Sequence, residues 1–209
     1  MASLFEEMIT TRGRLRELYS APSHRITKKV IDHIDDLCRR FIAASPFVIV
    51  STRGGDGRLD QSPKGDPPGF VAVLDANTLA IPDRVGNNRL DTFENLLIHS
   101  QVGLFFMIPG NRDTLRVSGT GKLVRDRGLQ ERLAVGGKAP ALVLIVDVEE
   151  AFMHCPKCVI RSRLWEPNHW PDRSSVPTLA EGMVTHGSLS ESVAEMQALI
   201  DKDGATRLY

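Results

Sequence analysis

Val102 to Asp126 reads VGLFFMIPGNRDTLRVSGTGKLVRD. Its opening run, residues 102 to 108, is continuously apolar, which predicts a strand covered on both faces and lining a barrel interior. Pro109-Gly110-Asn111 turns the chain. Leu115 and Val117, then Gly119 and Gly121, alternate through the next run, a long strand whose glycines permit sharp curvature or close backbone approach. Downstream, ALVLIVDV at 141 to 148 predicts one more buried strand. Upstream, FVIVST at 47 to 52 is β-branched and aromatic, and Gly54-Gly55-Asp56-Gly57 offers the residues of a tight hairpin turn. Phe70 to Leu74 and Thr78 to Ile81 predict short strands around an Asp75-Ala76-Asn77 turn, with Pro82 interrupting the second.

Between these runs, LDQSPKGDPPG at 59 to 69 carries three prolines and two glycines, which predicts a loop of defined path. Ile26, Val30, Ile34, Leu37 and Phe41 predict one amphipathic helix ended by Pro46. Arg89 to His99 predicts a short helix with Leu90, Phe93, Leu97 and Ile98 on one face and Asn87 or Asn88 as its N-cap. Val193, Met196, Leu199 and Ile200 predict a closing amphipathic helix over 189 to 200, capped by Ser188 or Ser190. Strands at this spacing, with one short helix between the third and the fourth, fit a small closed or split antiparallel barrel. A doubly wound sheet would need alternating βαβ units. The expected fold is mainly β, a barrel with flanking helices, in a single domain over residues 1–209 with an N-terminal helical segment.

The chain has 209 residues, 42% hydrophobic and 25% charged, enough for one substantial core. Its 26 Lys+Arg balance 26 Asp+Glu, so the global basic excess of a nucleic-acid-coating protein is missing. No apolar run approaches the roughly 18 residues of a spanning helix. The start, MASLFEEMITTRGR, has acids where a signal peptide carries a basic flank and an apolar run. A cytoplasmic protein without membrane or nucleic-acid partners is expected. The three cysteines, Cys38, Cys155 and Cys158, are too few for a disulfide scaffold.

The densest chemistry lies in IPDRVGNNRLDTFENL, residues 81 to 96. Arg84 and Arg89 flank a Gly-Asn-Asn turn just before a helix. Two guanidiniums, two amide side chains and helical N–H groups can therefore converge on one anion such as a phosphate. Equally, Asn87 and Asn88 can simply cap while the arginines stay solvated. Lys64, on the proline-stiffened loop, either supplies another cation or is solvated. Arg116 points to the face opposite Leu115 and Val117, which is either a cofactor cleft or solvent. Cys155 and Cys158 with His154 have zinc-like spacing, yet a single C-x-x-C leaves zinc half coordinated, so no metal is expected. Arg161, Arg163 and Trp165 form a basic-aromatic segment able to clamp a planar anion. The chain contains no G-x-S-x-G, P-loop or G-x-G-x-x-G signature.

Together these blocks resemble the pyridoxamine 5'-phosphate oxidase-like, FMN-binding split-barrel proteins. They are similar in particular to a bacterial branch with the patterns SPKGD-PGF, IPDR-GNNR and tLRV-G. Here those are Ser62 to Asp66 with Gly69-Phe70, Ile81 to Arg84 with Gly86 to Arg89, and Leu115 to Gly119. The similarity runs on through His154 to Lys157 and Arg161 to Trp165. The resemblance implies FMN held non-covalently at a homodimer interface, with Arg89 and Asn88 at the phosphate. It implies Pro82 and Asp83 where backbone approaches the isoalloxazine, and Thr114 and Arg116 at the ring edge. It also brings Lys64, Arg84, Asn87, Lys157, Arg161, Arg163 and Trp165 into the candidate cofactor-binding set. The oxidase's basic strand start has no clean counterpart in SPKGDPPG, and its C-terminal substrate signature is missing, which argues against pyridoxamine phosphate as substrate.

An FMN-dependent oxidoreductase with a small-molecule electron donor and acceptor is therefore expected. A non-catalytic flavin or haem binder of the same fold is the alternative, and F420 or haem in place of FMN stays open. No acid, base or nucleophile is required, because hydride transfer to a flavin asks mainly for positioning and a nearby positive charge, which Arg116 or Lys64 would supply.

Overall fold

The structure, a computed structural model, describes residues 5–209. The reading of the chain's start as no signal peptide falls partly on residues 1–4, outside the described residues. Seven strands run β1 (Phe47–Arg53), β2 (Leu59–Gly65), β3 (Ala72–Val73), β4 (Thr78–Pro82), β5 (Gln101–Met107), β6 (Thr114–Val124) and β7 (Val143–His154). They form one sheet in the order β2-β1-β5-β6-β7-β4-β3, every pair antiparallel. The outermost strands, β2 and β3, do not pair with each other, so the barrel is split rather than closed. Helices α1 (Arg12–Leu18), α2 (His24–Lys28) and α3 (Asp36–Ala44) precede the sheet. Within it lie α4 (Asp91–Ile98) and α5 (Arg127–Arg132), and after it come α6 (Lys157–Ser162), α7 (Leu179–Gly187) and α8 (Val193–Thr206). This is a mainly β split barrel with flanking helices.

The core follows from strand alternation. Val48 and Val50 of β1, Val102, Leu104 and Phe106 of β5, and Leu115 and Val117 of β6 point to one face. There they meet Cys38, Phe41 and Ile42 of α3 and Phe93 and Leu96 of α4. Fully burying a side chain such as Phe106 contributes about 2 to 3 kcal/mol. On the other face of β4 and β7, Ala80, Val143 and Ile145 pack with Leu133 as a second, smaller cluster. β5 is thus buried on one face only: Gly103, Phe105 and Met107, on the other, are half-buried. The expectation of a strand covered on both sides fails, and the uncovered side carries the second cavity described below.

Among the glycines of the sheet, Gly119 is where an added Cβ would meet neighbouring backbone most closely. The β6–β7 register shifts between Ser118 and Gly119, and a Cβ at 119 would collide with the Asp147 carbonyl oxygen. This bulge bends β6, as its glycines predict. It divides the β6–β7 ladder into the stretch bearing Arg116 and Phe152 and the stretch running back under α4.

Several local expectations are corrected. Residues 59 to 65 of the proline-rich segment form β2, with Pro63 opposite Ile49. An edge strand has one open side to its ladder, so a proline there is tolerated. The predicted helix through 26 to 45 is broken. Ile31 exchanges backbone hydrogen bonds with Ala151, Ile34 N–H donates to the Ala76 carbonyl, and Asp35 starts α3 by capping Cys38 N–H at 2.8 Å. Accordingly Val30 and Leu37 are exposed, and the buried face of α3 is Cys38, Phe41 and Ile42. In α4 the buried face is Thr92, Phe93 and Leu96, while Leu90, Leu97 and Ile98 are exposed. α8 begins four residues later than expected, with Ser192 in a reciprocal cap with Glu195. β7 runs on to His154, so the His-Cys-Pro-Lys stretch starts at a strand end.

Candidate functional site

Two cavities lie near the β2 edge. The larger, a cleft of about 780 Å³, is walled by β2, the β4–α4 turn, the start of α4, residues 138–141 and the segment after α8. Two side-chain hydrogen bonds fix α4 over β1 and β2 and so set the turn in place. Thr92 Oγ1 donates to Asp60 Oδ2 at 2.8 Å, and Asn95 Nδ2 donates to Thr52 Oγ1 at 3.1 Å.

The turn itself is tight. Asn88 and Leu90 both sit in the left-handed region, at φ 60° and 40°. For leucine that conformation costs about 1 to 2 kcal/mol. Leu90, not an asparagine, occupies the N-cap position and gives α4 no side-chain cap. The Asn87 side chain instead accepts the Arg89 N–H at 3.1 Å, leaving Arg89 at the outer end of the turn. The expected asparagine cap is thereby replaced by a backbone kink that projects Arg89.

Lys64, Asp83, Arg84, Asn87, Asn88 and Arg89 all line this cleft. Pro82 ends β4 opposite Val143, buried beneath it. The cations differ in commitment. Arg84 is mostly buried and its Nε donates to Asp66, whose side chain is wholly buried. Arg89 is 76% exposed and donates to Asp91 at 2.6 Å, a hydrogen bond that raises its pKa. Lys64 lies with Nζ 5.6 Å from the Phe93 ring centre. Burial holds the Asp83 carboxyl above its usual range, with the Lys64 charge pulling the other way. Its N–H donates to the Leu142 carbonyl. An exposed arginine, a lysine and the Asn-rich turn line the same cleft, which suits an anionic ligand group.

The smaller cavity, about 420 Å³, lies on the opposite face of the sheet. Strand register places Ile49, Phe105, Arg116 and Phe152 in one row across β1, β5, β6 and β7, with Ser51, Gly103, Ser118 and Glu150 in the next. The Arg116 guanidinium stands 5.1 Å and Lys29 Nζ 5.4 Å from the Phe152 ring centre. Thr114 and His154 are cross-strand partners at the end of this face. Thr114 Oγ1 and His154 Nδ1 are buried without a hydrogen-bond partner among the described residues. Burial, then the charges of Arg116 and Lys29, lower the His154 pKa. Within one chain, Thr114 and Arg116 therefore do not join the cleft residues.

Nor do Lys157, Arg161, Arg163 and Trp165, which line neither cavity. The three basic residues are exposed on and after α6. Arg163 contacts the His169 ring, and Trp165 Nε1 donates to the Asn111 carbonyl at 2.6 Å. Cys155 and Cys158 are exposed free thiols, and among the described residues no three His, Cys, Asp or Glu side chains converge as a metal site. Cys38 is a core residue whose thiol is pushed up to about 12, chiefly by burial. Sequence reasoning missed Asp66, Lys138, Arg207 and Tyr209 around the cleft. Asp66 stands inside SPKGD, where its two-residue offset from Lys64 at the strand end marked it for the same face. The others are distant in sequence and carry no local signal.

Fold and cleft together define a split barrel with an anion-suited pocket at its β2 edge. A family model described as pyridoxamine 5'-phosphate oxidase matches residues 34–155, more than half the chain, and the chain belongs to that family. No curated protein matches the sequence. Among solved structures, Group A Streptococcus HupZ is 18% identical with a TM-score of 0.48, over 57% of this chain and 93% of that one. A protein related to general stress protein 26, from Clostridium acetobutylicum, is 18% identical with a TM-score of 0.41, over 56% and 84%. An F420 reductase is 15% identical with a TM-score of 0.40, over 53% and 92%. Among the described residues no helix is long and apolar enough to cross a membrane.

Proposed function

We propose that this chain is an FMN-dependent oxidoreductase acting between a small-molecule donor and acceptor. It works as a cytoplasmic homodimer of single-domain chains, within a bacterial branch of its family marked by SPKGD, IPDRxGNNR and HCPK. The observation that carries this reading is the convergence of Lys64, Arg84, Asn87, Asn88 and Arg89 on one cleft beside the strained β4–α4 turn. The cleft's volume falls within the roughly 300 to 1,000 Å³ of cofactor sites. Its donors fit a phosphate: Arg89 is solvent-facing and exchanges its surface pair with Asp91 at little cost.

When bound, FMN supplies two-electron redox chemistry. Arg89 with Asn87 and Asn88 would hold the phosphate, Lys64 would add charge beside Phe93, and the Pro82-Asp83 segment would border the ring. Arg84, held by Asp66, acts as a fixed wall rather than a mobile phosphate clamp. Thr114 and Arg116 lie on the other face of the sheet, and Lys157, Arg161, Arg163 and Trp165 lie around α6. These reach a ring only if a second copy brings them, and the half-buried Ile49, Phe105, Phe152 row supplies the apolar surface for that copy. Anaerobic bleaching of the flavin spectrum by a nicotinamide donor, then reoxidation by an acceptor, tests the reading. Stoichiometric FMN binding without reduction by any donor would instead assign a flavin carrier.

A further inference from the structure

The segment after α8 returns to the cleft and is tied to three separate parts of its wall. The Tyr209 hydroxyl donates to Asp66 Oδ1 at 2.5 Å, while Asp66 Oδ2 takes Arg84 Nε. The Tyr209 ring lies 5.9 Å from the Arg84 guanidinium, and its backbone carbonyl accepts Lys138 Nζ at 2.7 Å. The two oxygens of one wholly buried carboxylate thus hold an arginine from the β4–α4 turn and a tyrosine from the far end of the chain. A buried carboxylate left with an empty oxygen is costly, so Tyr209 and Arg84 are fixed together.

We infer that Tyr209 is a ligand-positioning residue of the cleft: its docking on Asp66 sets Arg84 and completes the wall against which the bound ligand's planar ring rests. This deepens the FMN reading and depends on it. Because docking and binding stabilise one state, they are coupled reciprocally: the docked segment raises ligand affinity, and the ligand holds the segment down.

Nitration by tetranitromethane, followed residue by residue with mass spectrometry, reads the docking directly, since the only other tyrosine, Tyr19, is 65% exposed and serves as an internal reference. The hydrogen bond to Asp66 also raises the Tyr209 pKa, which slows a reagent that attacks the phenolate. Tyr209 is expected to react about tenfold more slowly than Tyr19, and saturating FMN to slow it by a further several-fold without affecting Tyr19. Lys138→Ala, at an exposed position, is expected to speed Tyr209 nitration and weaken FMN binding about threefold. Tyr209→Ala is expected to weaken FMN and riboflavin alike by about tenfold, since the contact is to the ring. Measured FMN binding with unchanged Tyr209 nitration would overturn the coupling alone. Faster nitration on FMN binding would make the segment a competing plug, which also overturns it. No FMN binding by the unaltered protein would overturn the cofactor reading and this inference together.

Discussion

The two cavities on either side of the β2 edge are built on opposite principles. In the cleft, polar groups are answered from within the chain: Arg84 by Asp66, Arg89 by Asp91, and Asp60 by Thr92. On the outer face, cations stand over an aromatic ring, and Thr114 Oγ1 and His154 Nδ1 are buried without a hydrogen-bond partner among the described residues. A buried polar atom without a partner costs about 1 to 3 kcal/mol. The cleft is thus a polar cavity whose Arg84 and Arg89 are paired within the chain, whereas the outer face combines cations with apolar side chains.

The bulge in β6 lies between the stretch that lines the outer cavity and the stretch under α4. Gly119→Ala places a Cβ against the Asp147 carbonyl and cannot keep the bulge, so it is expected to destabilise the fold by about 3 kcal/mol or more. Denaturant unfolding checks this, and an unchanged midpoint would mean that the β6–β7 register is wrong. Next in size, Phe105→Lys sets a second cation opposite Arg116 in the middle of the outer row. If the proposed homodimer pairs through this row, its association is expected to weaken by about a hundredfold or more, with folding retained. Light scattering at micromolar concentration reads it, and an undisturbed dimer would move the interface elsewhere.

A smaller effect separates the regions by pH. Burial, Arg116 and Lys29 hold the folded-state pKa of His154 below its unfolded value. As pH falls, the unfolded chain takes the proton first, so His154 contributes a loss of stability that grows between about pH 7 and pH 5. His154→Gln is expected to flatten that acid-side decline in melting temperature. An identical decline in the variant would assign it to other groups.

Much of the sheet was legible because alternation and β-branching report burial directly: β1, β5 and β6 stand within a residue or two of FVIVST, VGLFFMI and DTLRVSGTGKLVRD. β2 was hidden because prolines signal loops in general, and only its place at the edge, a tertiary fact, makes Pro63 harmless. The split of the predicted 26 to 45 helix was hidden for a similar reason. Ile31 is recruited by Ala151, more than a hundred residues away, while apolar spacing describes only local periodicity. At the site, the GNNR turn could be placed just before a short helix from residue types alone, and the structure sets its Asn87, Asn88 and Arg89 on the wall of the cleft. The helix cap was not legible, since it passed from asparagine to a left-handed Leu90. Arg84 read as a free cation because its partner is revealed only by the buried side chain of Asp66. Tyr209 could not be found at all, since it reaches Asp66 across 143 positions of sequence.

Whether the β4–α4 turn holds a phosphate through Arg89 is decided by titrating the unaltered protein and Arg89→Ala with FMN and with riboflavin. Arg89 is exposed, so its loss leaves the fold intact, but it strips the anion site of a cation and leaves Asp91 uncompensated beside it. FMN affinity is expected to fall about ten- to a hundredfold while riboflavin affinity barely changes, because riboflavin brings no phosphate to the turn. Equal weakening of both ligands, or of neither, would contradict the assignment of the phosphate to this turn.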